Sequence, residues 1–240
     1  MRKLTVAALA LVLAASQAAA GRELKTSIEG EMSYVSSYIW RGFDALPDGN
    51  DALQPGVTFY LGDSGHSFNL WGSTGVDKTG DLDEVDLTWN YTRAWSGRDD
   101  AALSFGLVYY GYPQADSDSV EIYTGVTLTN MLLQPSLMVF ADFGEGDGYY
   151  ATLGVNHTFG AAILGKPVNF TASAGYQDGY WGAEPGVSDI TFSLSTDYEV
   201  GTVRVTPALN FAVIPEDSVN ADDNEFWFSI TGTTEIRHRN

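Results

Sequence analysis

The sequence predicts an all-β fold, a transmembrane up-and-down antiparallel β-barrel of about 12 strands, and three observations predict it. Polar and apolar residues alternate with period two through segments of about ten residues, longer than the five or six usual in soluble strands. The segments are even in number and each runs into the next through a short link, as closure requires if no unpaired edge is to face lipid. The links also differ by parity. RGFDALPDGND, PQADSD, DGYWGAEPGVSD and PEDSVNADDNE are long, whereas GDSGH, TNM and EVG between them are tight. DKTGD and GEGDG are short and GAAILGKP is long, against the trend. A soluble sandwich would explain neither the segment length nor the parity.

Residues 27–40, SIEGEMSYVSSYIW, open the series with Ile28, Met32, Tyr34, Tyr38 and Trp40 on one face and Glu29, Glu31, Ser33 and Ser37 on the other. Val35 and Ile39 break the pattern on the polar face and predict a constriction in the bore beneath the loop that contains Arg41. Residues 52–61 alternate Leu53, Val57, Phe59 and Leu61 with Gln54, Gly56 and Thr58, and residues 66–76 continue with Phe68, Leu70 and Val76. The clearest segment is 82–95, where Val85, Leu87, Trp89 and Tyr91 oppose Glu84, Asp86, Thr88 and Asn90; no helix has this period. Segments 101–112, 120–128, 133–143, 149–159, 168–176, 190–198, 203–213 and 226–236 complete the set. Pro135 belongs at a strand start, since it has no donor for a ladder.

Residues 1–20 read as a secretory signal peptide: Arg2 and Lys3, an apolar run, then Ala18, Ala19 and Ala20. Residues 21–240 then form a single outer-membrane barrel domain. The 31 acidic residues against 12 basic exclude nucleic acid as a partner, because phosphates would be repelled. The absence of cysteine excludes disulfides, thiolate metal sites and cysteine nucleophiles. Twenty-six glycines suit many strands joined by tight turns.

Tyrosine and tryptophan collect where hydrocarbon meets headgroup, which makes Tyr38, Trp40 and Phe226 candidates for one membrane interface and Trp95, Phe159 and Tyr198 for the other. With the apolar faces on lipid, the opposite faces line the lumen. There stand Glu29, Glu31, Glu84, Asp86, Glu121, Asp142 and Asp189, with Asp197 and Glu235, against Arg204. A bore lined by carboxylates favours cations.

The run SYVSSYIWRGFDALPDGNDALQPGVTF resembles the opening of the TorF-like group of small outer-membrane porins, through Tyr38, Trp40, Arg41, Gly42, Pro47, Ala52, Leu53, Gln54 and Gly56. The resemblance is specific over about residues 30 to 60; it implies an outer-membrane channel of unknown solute and supplies no catalytic residues to carry over. The chain departs from such barrels in ending Ile236, Arg237, His238, Arg239, Asn240, not on an aromatic, so residues 226–236 read as the closing strand followed by a polar tail.

The function expected is a porin-like channel for small hydrophilic or cationic solutes, surrounded by outer-membrane lipid and lipopolysaccharide and needing no cofactor or metal. The acidic outer loops read as a solvated surface. A non-conducting structural or adhesive barrel is the alternative. An enzyme acting on lipid is a weaker one, since the three histidines, His66, His157 and His238, have no identifiable serine partner.

Overall fold

The structure, a computed structural model, describes residues 26–46, 50–76, 82–95, 97, 100–115, 117–163 and 165–237, so the expected signal peptide, residues 1–20, lies outside the described residues. Twelve strands cross the barrel wall in sequence order: β1 (Thr26–Val35), β2 (Ala52–Leu61), β3 (His66–Gly75), β4 (Glu84–Ala94), β5 (Ala101–Tyr112), β6 (Ser117–Leu128), β7 (Ser136–Asp142), β8 (Tyr149–Ile163), β9 (Lys166–Asp178), β10 (Gly186–Ser195), β11 (Val203–Val213) and β12 (Asn224–Arg237). Each pairs antiparallel with its neighbours in sequence, and Tyr198–Val200 extends the hairpin between β10 and β11. β1 closes the ring on β12, from Ser27 opposite Arg237 to Val35 opposite Ser229. No sheet edge is left open, the condition for placing a sheet in hydrocarbon.

The two faces of this wall invert the soluble pattern. Leu153 is 64% exposed and Ile122 47%, whereas Glu121 is wholly buried and Asp189 is 3% exposed. An apolar belt around a carboxylate-lined interior is stable only with lipid outside. Inward aromatic rings lie over wall glycines: a Cβ at Gly106 would overlap the Tyr123 ring, whose hydroxyl donates to Asn90 Oδ1 at 2.7 Å. The glycine admits a ring that then fills the bore.

The alternation of residues 27–40 does not continue as one strand. β1 ends at Val35, and Ile39–Trp40 turns inward to pair with Phe43–Asp44. Arg41 (φ 53°) and Gly42 (φ 89°) form the two-residue turn, and positive φ at both central positions is the requirement of a type I′ hairpin. Apolar packing directs this fold-in. Val35 meets Leu46 and Ala52 with Tyr38 against them, while Ile39 and Phe43 pack on Ala183, Ala212, Ile214, Val219 and Trp227. Among the described residues, the apolar clusters are therefore the seats of loop 1, described over residues 36–46 and 50–51, inside one mouth. Pro135 likewise shortens the segment predicted over 133–143. Leu133 and Gln134 take positive φ, and β7 starts only at Ser136.

Candidate functional site: a carboxylate-lined bore plugged by loop 1

Among the described residues, an ion pair joins the plug to the barrel wall. Arg41 Nη1 and Nη2 donate to Glu121 Oε2 and Oε1 at 2.7 and 3.1 Å, a bidentate pair whose side chains are 10% and 0% exposed. Glu121 receives two further donors, Tyr180 OH at 2.6 Å and Tyr110 OH at 3.0 Å. Tyr180 OH in turn accepts from Arg41 Nη1 at 2.6 Å. The guanidinium carbon lies 4.0 Å from the Phe140 ring centroid, 4.5 Å from Tyr150, 4.6 Å from Trp40 and 5.1 Å from Tyr180. Buried charge is stable only when paired and fully hydrogen-bonded, and this carboxylate is both.

Burial works against the Arg41 charge, but the Glu121 carboxylate outweighs it and leaves the guanidinium pKa raised. Burial also raises the Tyr180 hydroxyl well above its ordinary value, against the lowering pull of Arg41 and helped by Glu121. The Tyr38 hydroxyl is raised by burial and by the Glu84 and Asp86 carboxylates nearby. Both phenols thus stay protonated as donors at neutral pH, and Arg41 stays charged.

Other inward carboxylates are tied to the wall. Tyr38 OH donates to Glu84 Oε2 at 3.0 Å, Ser119 Oγ to Asp142 Oδ1 at 2.5 Å, and Tyr150 OH and Ser188 Oγ to Asp189 Oδ1 at 3.0 and 2.8 Å. Toward the opposite mouth, where β1 starts and β12 ends, Glu29 and Glu31 are half-buried, and Tyr60 OH donates to Glu29 Oε1 at 3.4 Å. There Arg204 pairs with Glu199 at 3.2 Å, with side chains 56% and 63% exposed. Between them a cavity of about 320 Å³ is lined by neutral groups, among them Thr127, Ser136, Asn156, Thr171, Ser173 and Thr191.

The predicted lumen residues Glu29, Glu31, Glu84, Asp86, Glu121, Asp142, Asp189 and Arg204 thus lie on the inward register. Among the predicted interface aromatics, Trp95, Phe159 and Phe226 are 44%, 46% and 66% exposed on the outer surface, and Tyr198 is half-buried at the Lys166 ammonium, 6.0 Å from its ring centroid. Tyr38 and Trp40 are corrected. The bend after Val35 carries them into the bore, where Tyr38 packs on Trp71 and Trp40 on Tyr110 and Tyr180. The patch of Val35 and Ile39, where a constriction is predicted, is where loop 1 seats.

Sequence reasoning missed Arg41 as the partner of Glu121 and missed the aromatic box around it. A signal existed: Tyr110, Tyr123, Phe140 and Tyr150 stand on the polar register of their strands, where rings are needed only if the bore is filled. Of the three histidines, His66 and His157 lie among the described residues and His238 outside them. His66 Nδ1 accepts from Trp89 Nε1 at 3.2 Å, and His157 packs edge-on to Phe159.

The turn supports one direct test. A Cβ at Gly42 would stand 2.9 Å from the Ser188 carbonyl oxygen, at a φ that disfavours L residues. Gly42→Ala is expected to weaken the seating of loop 1 by about 1–2 kcal/mol. Trypsin should then cut at Arg41 of the folded barrel, a bond that burial protects in the parent. Equal protection of both proteins would show that the turn does not hold the loop.

No protein-family model and no curated protein sequence matches the chain. Solved structures do. The KdgM porin in complex with disordered oligogalacturonate aligns with TM-score 0.56 and 8% identity over 87% of this chain and 98% of that one. A second KdgM porin structure aligns with TM-score 0.56 at 10% identity. The NanC porin aligns with TM-score 0.51 and 10% identity, covering 88% of this chain and 100% of that chain. Identities this low establish a shared fold, that of small outer-membrane barrels.

Proposed function

We propose that the chain is an outer-membrane porin-like channel for small solutes, with a cation preference, and that loop 1 occludes its bore in the state described. Its apolar belt is suited to outer-membrane lipid and lipopolysaccharide. The observation that carries the cation preference is the charge of the inward face. Carboxylates stand toward both mouths, and the two inward-facing arginines are each paired with one, Arg41 with Glu121 inside and Arg204 with Glu199 at the rim. Such a bore lowers the energy of a cation and raises that of an anion. The neighbouring porins, and the TorF-like resemblance of residues 30–60, support the channel reading.

The filled outer half of the lumen favours a second reading, a non-conducting structural barrel. Refolded protein in a planar bilayer under a potassium chloride gradient separates the two. The reversal potential is expected to have the sign of cation selectivity, and Glu29→Gln with Glu31→Gln at the lower mouth is expected to reduce it. Anion selectivity would remove the cation preference. A barrel that inserts yet carries no current, even with loop 1 excised, would establish the structural reading.

A further inference from the structure

A cavity of about 410 Å³ opens at the mouth occupied by loop 1, within the range of small-molecule sites. Its wall is aromatic, with Tyr38, Trp40, Phe43, Tyr112 and Trp181, and acidic, with Asp83 and Glu84. No cation stands among its described lining residues. Two polar atoms on this wall are buried without a hydrogen-bond partner: Ser73 Oγ, on a residue 1% exposed, and Trp181 Nε1. Orphaned buried donors cost stability unless something supplies an acceptor. Trp181 also holds a left-handed backbone (φ 53°), braced edge-on against Tyr112 with centroids 5.5 Å apart. Strain of this kind persists where the surroundings over-determine a residue's position, commonly at ligand sites.

We infer that this cavity is a binding site for small organic cations: amines with an apolar body and one neutral oxygen. Ring faces attract a cation through their quadrupole, and Glu84 supplies the opposite charge. Glu84 is 7% exposed and takes the Tyr38 and Tyr112 hydroxyls, yet a carboxylate has about four acceptor positions, so an ammonium can still be received. The ligand oxygen would accept from Trp181 Nε1 or from Ser73 Oγ. The molecule already shows this chemistry next door. There the Arg41 guanidinium is held by rings and a carboxylate, and Trp40 belongs to both sites. The largely apolar wall disfavours a polyhydroxylated solute, and its carboxylates disfavour an anion.

The inference deepens the channel reading by naming a solute class, and its test needs no membrane. Detergent-folded protein is titrated, with tryptophan fluorescence as the readout, against tyramine, 4-hydroxyphenylethanol and 4-hydroxyphenylacetate, which share a phenol body and differ in charge. Tyramine is expected to saturate, with the neutral alcohol bound at least ~10-fold more weakly and the anion weaker still. Glu84→Gln should remove the advantage of tyramine over the alcohol, whereas Trp181→Phe should weaken both alike. The site is refuted if the three ligands bind equally, if the anion binds best, or if glucose saturates the signal and tyramine does not. Loss of conductance with binding intact would remove the channel and leave the site. Conductance without tyramine binding would remove only the site.

Discussion

Replacing Arg41 with methionine is expected to open the bore. The substitution keeps an apolar stem against Phe140, Tyr150 and Trp40 but leaves Glu121 buried among Tyr110 and Tyr180 without a counter-charge. Removing one partner of a buried pair costs about 3–5 kcal/mol. Here the carboxylate regains water if loop 1 leaves the lumen, so most of that cost falls on the closed conformation. A shift of ~3 kcal/mol changes the ratio of open to closed loop roughly 10²-fold. Long-lived current steps larger than the parent's are the expected record in a planar bilayer, at unchanged heat-modifiable gel migration. A variant that folds and shows parental currents would mean that the ion pair does not hold the loop.

The second large effect concerns the same pair from the wall side. Glu121→Gln deletes the charge while keeping the shape. It also places an amide donor where the carboxylate accepted from Arg41, Tyr110 and Tyr180. Arg41 is then a buried cation without an anion, and opening comparable to that of Arg41→Met is expected. The double variant Arg41→Met/Glu121→Leu should close again, because exchanging a buried pair for apolar groups of similar size is often neutral or stabilising. The coupling between the two positions, from the open probabilities of the parent, Arg41→Met, Glu121→Leu and the double variant, is expected at about 2–3 kcal/mol. Additive opening in the double variant would assign the plug to packing of Ile39, Phe43 and Leu46 alone.

The twelve strands and their faces are legible in the sequence because lipid imposes one rule along the whole wall: outward residues from Leu53 to Ile230 are predominantly apolar, and a period of two follows. The inward position of Glu84, Glu121, Asp142 and Asp189 follows from that same register. Loop 1 is not legible, for two physical reasons. Tyr38 and Trp40 keep the apolar register of β1, so the bend after Val35 is marked only by Ser36 on that register and by Val35 and Ile39 on the polar one. The contacts that pull the loop inward are distant in sequence. Ile39 packs near Ala183, Ile214 and Trp227, and Arg41 meets a carboxylate 80 positions away. A period reports which face a residue occupies and is blind to what fills the space between faces. The rings on the polar register, Tyr110 and Tyr150 among them, were the local trace of that filling.

Excision of the plug tests the closed bore most directly. Val35 and Ala52 are already directly paired, so β1 and β2 need only a hairpin turn between them. Replacing residues 37–50 with Asn-Gly supplies the type I′ turn without disturbing the ladder. Single-channel conductance of this protein, measured beside the parent in the same salt, is expected to be several-fold higher and free of closures. Conductance equal to the parent's, from a barrel that migrates as folded, would contradict a lumen occluded by loop 1.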